Sequence, residues 1–155
     1  MIHSFSDKDQ YWMKHAIKLA DKAQVQGEVP VGAVIVSDDN QILGEGYNQS
    51  VTEHDATAHA EVRAIKAAGA SNQNYRLSGS TLYVTLEPCM MCVGAIIHAR
   101  IKRLVYGAPD LKSGAVHSQD SLLDVRYVNH KVQVDFGLFG DDITLKLKGF
   151  FKSRR

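Results

Sequence analysis

Two short motifs contain side chains that together can bind a metal ion. His59 precedes Cys89 by 30 residues, and Cys89 and Cys92 are the only two cysteines of the chain. Two thiolates and one neutral imidazole give zinc three protein ligands, and the fourth tetrahedral position then stays open for water. At such a position the pKa of water falls from about 15.7 to about 7, so hydroxide is available at neutral pH. Glu61, two residues after His59, is then the candidate catalytic proton carrier.

The spacing within each motif fits the start of a helix. Cys89 and Cys92, at i and i+3, lie on one face of a helix, and at its N-terminus the helix dipole favours thiolates over thiols. Inside a regular helix His59 and Glu61 would point about 200° apart, given about 100° per residue. Both can therefore face one ion only where the helix begins, and Thr57 is a suitable cap that would place them there.

Each motif has an ordinary explanation when it is taken alone. Two cysteines at this spacing could be core residues, since buried cysteine packs as a small hydrophobe. A His-x-Glu sequence could be a helix cap followed by a solvated acid. A further alternative keeps the metal but closes the site, with His54, His98 or His117 as the fourth ligand of a structural zinc ion. The joint occurrence of both motifs at predicted helix starts favours the open, catalytic site.

Composition sets broad limits on the kind of protein. The chain has 155 residues, 45% of them hydrophobic and 23% charged, which fits one globular domain over residues 1–155. A net charge of +1 excludes nothing, because a nucleic-acid site needs only a local basic surface. The N-terminal sequence lacks the features of a signal peptide, and no apolar run reaches the ~20 residues needed to span a bilayer. We therefore expect a cytoplasmic protein with no membrane association, whose thiols stay reduced.

Hydrophobic periodicity predicts helices and strands that alternate along the chain. We expect a helix capped by Ser6, a hairpin of strands 31–36 and 41–47, a helix at 58–68, a strand at 81–86, a helix at 89–100, a strand at 103–106, a short helix at 121–125, a strand near 131–136 and a final helix from Asp141. Gly69 should end the second long helix, and Pro88 should open the third. Strands 81–86 and 103–106, joined by that third helix, should be parallel. The sequence thus predicts a three-layer α/β/α domain with a five-stranded mixed sheet.

The sequence also predicts how exposed two further segments are, the third helix and the segment after the fourth strand. The helix at 89–100 is apolar nearly all round, which predicts burial on both sides and favours a homodimer with this helix in the subunit interface. The segment 107–119 is rich in Gly, Ser and Asp, and it should form a surface loop.

Several longer stretches accompany the metal motifs and run along nearly the whole chain. They are Glu28-Val29-Pro30-Val31-Gly32-Ala33, Gly44-Glu45-Gly46-Tyr47-Asn48, Thr57-Ala58-His59-Ala60-Glu61, Asn74-Tyr75-Arg76-Leu77, Thr81-Leu82-Tyr83-Val84-Thr85-Leu86-Glu87-Pro88-Cys89, Gly107-Ala108 with Asp110, and Phe150-Phe151. With these stretches the chain resembles the zinc-dependent nucleoside and nucleotide deaminase superfamily, and within it most closely the bacterial tRNA adenosine deaminases. The short metal motifs are common to deaminases in general, whereas the longer stretches are typical of the tRNA enzymes.

The resemblance implies a fold, a cofactor and a reaction. It implies a cytidine deaminase-like fold with one zinc ion per subunit, held by His59, Cys89 and Cys92. It also implies hydrolytic deamination of adenosine to inosine at the wobble position of a tRNA anticodon loop, with release of ammonia. Glu61 would move a proton from the zinc-bound water to the ring nitrogen beside C6 and would later protonate the leaving amino group.

The resemblance further implies contacts with the substrate. Asn48 and the backbone of Ala60 would hydrogen-bond the flipped base, and Asp110 would contact the sugar of the target nucleotide. Without the resemblance, an asparagine in a loop and an aspartate after a proline are ordinary turn residues.

The chain departs from the family pattern at three places. Asp55-Ala56 stands where the family usually has Asp-Pro, His117 stands where it has glycine, and Asp142-Ile143 stands where it has Glu-Cys. None of these changes removes a metal ligand or the proton carrier. Pro109 and His117 do bear on how the loop after the fourth strand contacts the substrate.

The C-terminal segment is basic. From Ile143 onward it contains no acid and five basic side chains, Lys146, Lys148, Lys152, Arg154 and Arg155. Such a segment suits RNA phosphates, and with the resemblance the anticodon stem-loop is the expected partner. The alternative is a frayed helix end whose positive charges suit the helix dipole.

Three functions remain open on the sequence. The first is a tRNA adenosine deaminase, and the second is a deaminase of free bases or nucleosides such as guanine or cytosine derivatives, with the same core chemistry. The third is a zinc-stabilised RNA-binding or scaffold module without activity. Glu61 argues against the third, because a closed structural site has no use for that acid.

Overall fold

The computed structural model describes residues 5–154, so Arg155 lies outside the described residues. The regular elements are α1 (Asp7–Val25), β1 (Gly32–Val36), β2 (Ile42–Tyr47), α2 (Ala60–Asn72), β3 (Thr81–Leu86), α3 (Met90–His98), β4 (Arg103–Ala108), a 3₁₀ turn (Leu122–Asp124), β5 (Gln133–Phe136) and α4 (Gly140–Ser153). None of the helices in the described part of the chain combines the length and the apolar character needed to cross a bilayer.

The five strands form one mixed sheet in the order β2-β1-β3-β4-β5. Strand β1 is antiparallel to both β2 and β3, whereas β3, β4 and β5 run parallel. The predicted hairpin and the predicted parallel pair are therefore confirmed. Leu86 at the end of β3 lies beside Ala108 at the end of β4. The loops that follow these two strands consequently leave the sheet side by side, at its carboxyl edge.

Helices cover both faces of the sheet, which confirms the three-layer α/β/α architecture. In β1, Ala33 and Ile35 lie in one core cluster with residues of α2 and α3, while Val34 and Val36 lie in a second cluster with residues of α1 and α4. Because successive side chains of a strand point to opposite faces, a covered sheet needs apolar residues at every position. Every residue of β1 is indeed buried.

Helix α1 begins where the sequence indicated. The Ser6 hydroxyl accepts a hydrogen bond from the Asp9 N–H at 3.0 Å, and the Asp9 carboxylate accepts one from the Ser6 N–H at 3.3 Å. Asp9 also receives hydrogen bonds from Arg103 at 2.7 and 3.0 Å and from the Tyr83 hydroxyl at 2.7 Å. This buried network fixes the start of α1 to strands β3 and β4.

Helix α2 starts later and ends later than predicted. Its N-cap is His59, whose backbone is extended, with φ −76° and ψ 154°. The predicted cap, Thr57, instead donates its hydroxyl to Asp55 at 2.7 Å. Gly69 lies inside the helix, and Gln73 ends it in the left-handed conformation with φ 48°. The predicted cap and stop of this helix are therefore both wrong.

Two glycines of β2 set how closely α2 packs on the sheet. A Cβ atom on Gly44 would lie 2.4 Å from the backbone nitrogen of Ala68, and one on Gly46 would lie 2.8 Å from the carbonyl oxygen of Ala60. Side chains at either position would push α2, and the residues at its start, away from the sheet.

Helix α3 is capped by Cys89, and Pro88 precedes the cap rather than opening the helix. Cys92 and Ile96 are buried, whereas Met90 is 72% exposed. The expectation that this helix is buried on both sides is therefore not met within one chain.

The segment after β4 is more deeply packed than a surface loop. Strand β4 continues to Ala108, beyond its predicted end at 106. Ala115 and Val116, in the middle of the segment predicted as a surface loop, are buried in the core beside α3. The predicted short helix at 121–125 is a single 3₁₀ turn.

Candidate metal centre and active site

Three side chains meet where α2 and α3 begin. The Nδ1 atom of His59 lies 3.6 Å from the Sγ atoms of both Cys89 and Cys92, and the three ligand atoms lie within 4.8 Å of one another. Zinc bonds of about 2.3 Å to sulfur and about 2.1 Å to nitrogen, at a tetrahedral angle, place the two atoms about 3.6 Å apart. The residues that the sequence predicted as metal ligands therefore fit one zinc ion.

No fourth histidine joins this group among residues 5–154. The set of side chains that could hold a metal consists of His59 and the two cysteines. His117 instead places its Nδ1 atom 2.7 Å from the hydroxyl of Tyr106, and the side chains of His54 and His98 are exposed. The alternative of a closed, structural site with one of these histidines is therefore wrong. A tetrahedral ion with three protein ligands keeps one position for a ligand from outside the chain.

The pKa values of the two thiols are shifted in opposite directions. The hydrogen bond from Cys92, assisted by His59, lowers the pKa of Cys89 to about 4. The same thiol pairing, together with burial, raises the pKa of Cys92. Hydrogen bonding to Cys89 raises the pKa of His59. Two thiolates this close repel each other, so a divalent cation between them is what allows both to ionise.

Glu61 is a buried carboxyl group at the same place. It is 4% exposed, and burial, assisted by the nearby charge of Cys89, raises the pKa of Glu61 to about 7. The carboxyl interacts with Cys92 and His59 as well. His59 precedes the helix and Glu61 lies in its first turn, and these interactions place the Glu61 carboxyl group beside the three candidate metal ligands. A carboxyl group with a pKa near 7 can both accept and donate a proton at neutral pH.

Asn48 and Ala60, the two predicted base-binding residues, are brought together but bond to each other. The Ala60 N–H donates to the side-chain oxygen of Asn48 at 2.8 Å. Since these two groups satisfy each other, the group that Asn48 can offer a base is its amide nitrogen, which has two N–H donors.

Asp110 organises the loop that follows β4. Its Oδ1 atom accepts hydrogen bonds from the backbone of Lys112 and Ser113, each at 3.2 Å. Its own N–H donates to Glu87 at 3.1 Å. Asp110 lies at the carboxyl edge of the sheet, the edge from which the cysteine turn also leaves.

Two buried glutamates hold the loops on either side of the metal centre, and the sequence did not reveal their roles. Glu28 accepts hydrogen bonds from the N–H of Val51 at 3.3 Å and from the N–H and hydroxyl of Thr52 at 2.7 Å each. Glu87 does the same for the loop that carries Asp110. One signal was available, because each acid stands next to apolar or proline residues where a solvated side chain is unexpected.

A cavity of about 750 Å³ opens at the same edge of the sheet, beyond the metal centre. It is lined by Tyr106, Gly107, Pro109, His117, Ser118, Phe136, Gly137, Phe139, Gly140, Asp141, Asp142 and Thr144. The metal ligands do not line this cavity, so it extends the surface beside the site rather than containing the chemistry.

The C-terminal basic residues are only partly available to a partner. Lys146 pairs with Asp21, and Arg154 donates to the carbonyl oxygen of Gly27 at 3.1 Å. Lys148 and Lys152 are exposed on α4. These two lysines are thus the described members of the basic segment that best suit RNA phosphates.

Comparison with known proteins agrees with this geometry. The family described as the cytidine and deoxycytidylate deaminase zinc-binding region matches residues 6–108. The tRNA-specific adenosine deaminase of Haemophilus influenzae is 51% identical over 150 residues, covering 97% of this chain and 87% of the relative. The enzyme of that name from Buchnera aphidicola is 43% identical and covers 97% of this chain and 98% of the relative.

Solved structures show the same similarity. A structure from a study of A-to-I editing by tRNA:A34 deaminases at the wobble position of transfer RNA superposes with a TM-score of 0.83 at 39% identity. It covers 88% of this chain and 98% of that chain. The guanine deaminase of Bacillus subtilis superposes with a TM-score of 0.61 at 33% identity, covering 84% of this chain and 89% of that chain.

Proposed function

The chain belongs to the cytidine and deoxycytidylate deaminase zinc-binding family, and on that premise we propose that it converts adenosine to inosine at the wobble position of a tRNA anticodon loop. The observation that carries this conclusion is the extent of the similarity. It covers 97% of the chain at 51% identity to a tRNA-specific adenosine deaminase, well beyond the two metal motifs that all such deaminases need.

The chemistry follows from the metal centre. When bound by His59, Cys89 and Cys92, a zinc ion lowers the pKa of a water molecule and so supplies a nucleophile at neutral pH. Glu61 accepts the proton that this water loses and passes it to the ring nitrogen beside C6 of adenine. With the water oxygen bonded to C6, Glu61 takes the remaining proton of that oxygen and gives it to the amino group, so that the C6–N bond breaks and ammonia leaves. A pKa near 7 suits both transfers, because the carboxyl group must accept and release protons in one cycle.

The base and its sugar are held by residues on both sides of this centre. The amide nitrogen of Asn48 donates to the purine, and the Ala60 N–H serves the same subsite by fixing the Asn48 oxygen. Asp110 contacts the sugar of the target nucleotide through the carboxylate oxygen that its own loop does not use, Oδ2. The hydrogen bond between Asn48 and Ala60 at the start of α2, the position of Asp110 just after β4 and the family resemblance support these assignments.

The substrate is the anticodon stem-loop. An enzyme that acts on a base must take it out of the stack, and an unpaired loop base costs least to extrude. The exposed lysines 148 and 152 supply positive charge for the phosphates. The reduced thiols that the metal centre requires fit the cytoplasm, where we place the enzyme.

We assign residues 1–155 to one deaminase domain that forms a homodimer. Helix α4 lies beyond the family match, yet its Ile143 and Leu147 pack into the same core as α1. The large apolar side chain of Met90 is 72% exposed at the start of α3, and this supports the helix as part of the subunit interface. Sedimentation of the zinc-loaded protein tests the dimer, and a monomer at micromolar concentration would contradict it.

A deaminase of free bases is the second candidate. The guanine deaminase of Bacillus subtilis shares this fold at 33% identity, and the core chemistry would be the same. Its lower TM-score and the higher identity of the tRNA enzymes favour the first candidate.

One assay separates the candidates. The zinc-loaded protein is incubated with an anticodon stem-loop that carries a wobble adenosine, with free guanine and with cytidine, and products are identified by mass. Inosine in the stem-loop supports the tRNA enzyme, whereas turnover of a free base without inosine supports the second candidate. Zinc retention without ammonia from any of these substrates would indicate a binding module instead.

A further inference from the structure

Glu87 joins the cysteine turn to the loop that carries Asp110. It is only 2% exposed, and it stands two residues before the zinc ligand Cys89. We propose that Glu87 is a positioning residue that sets the Asp110 loop, residues 109–119, relative to the metal centre. This inference rests on the proposed function, in which Asp110 contacts the sugar of the target nucleotide.

The carboxylate of Glu87 accepts hydrogen bonds from five donors of this loop. Its Oε1 atom accepts from the N–H of Asp110 at 3.1 Å and from the hydroxyl of Ser118. Its Oε2 atom accepts from the N–H groups of Val116 at 3.1 Å, His117 at 2.9 Å and Ser118 at 3.0 Å. Hydrogen bonds to an ionised acceptor are stronger than neutral ones, so one side chain fixes both ends of the Asp110 loop.

The loop also packs directly on Glu87. A Cβ atom on Gly114 would lie 2.3 Å from the Cδ atom of Glu87, so only glycine fits there. The Ala115 N–H donates to the carbonyl oxygen of Pro88, and the Glu87 N–H donates to that of Ala108, each at 2.9 Å. The Asp110 loop and the cysteine turn are thus one joined unit rather than two neighbours.

This connection matters because the reaction needs two points held at a fixed distance. His59, Cys89 and Cys92 would hold the metal that supplies the nucleophile for C6 of the base, while Asp110 is assigned to the sugar of the same nucleotide. A shift of about 1 Å in a positioning group can lower the rate about 10²-fold. Glu87 does not touch the substrate, and it acts through Asp110.

Glutamine is the informative replacement for Glu87. It keeps the size of the side chain but turns one of the two acceptor ends into an NH₂ group, which only donates. If its oxygen stays with the three N–H groups of 116–118, the NH₂ group faces the N–H of Asp110. The loop then loses the contact next to the substrate.

A double-mutant cycle tests the proposal. Glu87→Gln, Asp110→Ala and the double variant are compared with the unaltered chain, all zinc-replete, for kcat and KM on the anticodon stem-loop. We expect Glu87→Gln alone to lower kcat/KM by about 10- to 100-fold. In the Asp110→Ala background the same change should cost less than about threefold, because residues that act through one another are not additive. Equal losses in both backgrounds, or loss of zinc from Glu87→Gln, would overturn the proposal.

A second measurement does not depend on activity. In Glu87→Gln, amide hydrogen exchange should be much faster at residue 110, which loses its acceptor, and slightly faster at 116–118, whose acceptor becomes neutral, while exchange in α2 stays unchanged. Unchanged exchange at these amides would overturn the proposal. If the unaltered chain produces no inosine, the proposed function fails, whereas the exchange result still decides whether Glu87 holds the loop.

The chain offers a matched control and a milder variant. Glu28→Gln alters a second buried glutamate that binds a different loop, so its effect on kcat/KM should be the same with and without Asp110. If Glu87→Gln does not fold, Ser118→Ala removes one donor to Glu87 and enters the same cycle. Additive losses for Ser118→Ala and Asp110→Ala would then overturn the proposal.

Discussion

The metal centre and the loops beside it are held in place by different means. The ligands His59 and Cys89 are N-caps of helices α2 and α3, so regular structure fixes their backbone. The loops 48–58 and 109–119 contain no helix or strand, and each depends on one buried glutamate. The candidate metal ligands are thus held at helix starts packed on a sheet, whereas the two neighbouring loops are held by hydrogen bonds to buried carboxylates. Changes to the two regions should therefore have different consequences.

The largest effect is expected at the metal ligands. Cys89→Ala or Cys92→Ala should lose zinc and all measurable turnover, and it should destabilise the protein, because metal binding contributes to folding. Zinc per chain, activity and thermal unfolding are measured on the same preparations. Normal zinc content in either variant would remove that cysteine from the metal centre.

Glu61→Ala tests the role of the proton carrier independently of metal binding. Turnover should fall by about 10²- to 10⁴-fold, the usual contribution of a general acid–base group, while zinc stays bound. Zinc content and single-turnover rates on the stem-loop measure the two properties. A zinc-replete variant with unaltered turnover would refute the role of Glu61.

A change in a loop glutamate should instead appear as a loss of stability that depends on pH. Burial opposes ionisation of Glu28, but hydrogen bonds from Thr52 and Val51 outweigh it and lower the pKa of Glu28 below its ordinary value of 4.5. A carboxyl group whose pKa falls on folding stabilises the protein above its unfolded pKa, and this contribution is lost as the pH falls through the folded value. Glu28→Gln should therefore lower the free energy of unfolding by about 1–3 kcal/mol near pH 7.

The difference between the unaltered chain and Glu28→Gln should shrink as the pH falls below about 4.5. Denaturant unfolding at a series of pH values measures it, with zinc content checked at each pH. A difference that stays constant into acid would mean that the carboxylate charge of Glu28 contributes nothing.

The smallest effect is expected on the basic face of α4. Lys148→Ala and Lys152→Ala should each weaken binding of the stem-loop a few-fold and flatten the dependence of log Kd on log salt by about 0.7, the value for one phosphate contact on a single strand. Lys146→Ala is the control, because Lys146 already pairs with Asp21. A salt dependence that changes equally in all three variants would argue against specific phosphate contacts.

The same contrast explains which features could be predicted from the sequence. The capping pair Ser6 and Asp9 lies three residues apart and correctly indicated the start of α1, and strand 81–86 was predicted with the observed ends. The group of three side chains that could hold a metal was predicted because each half of the set has a short, recognisable spacing. The cap of α2 was misplaced because the Thr57 hydroxyl finds a local acceptor, Asp55, two residues away.

The roles of the two glutamates could not be predicted, because their partners are distant in the sequence. Glu28 binds donors 23 and 24 residues away, and Glu87 binds donors 23 to 31 residues away. The apolar and proline neighbours of each acid hint at burial, but they do not identify the distant donors that bind it. The prediction that Gly69 ends α2 was wrong, because the helix ends where Gln73 adopts a left-handed backbone and not at the first glycine.

The adjacent carboxyl ends of β3 and β4 have a consequence for how such an enzyme can be altered. One strand leads into the cysteine turn and its neighbour leads into the Asp110 loop, so a loop inserted after Ala108 has to keep the hydrogen bonds that join it to the cysteine turn. The requirement on the insert is chemical rather than a matter of sequence, because it must present backbone N–H groups to one carboxylate and a glycine where that carboxylate packs.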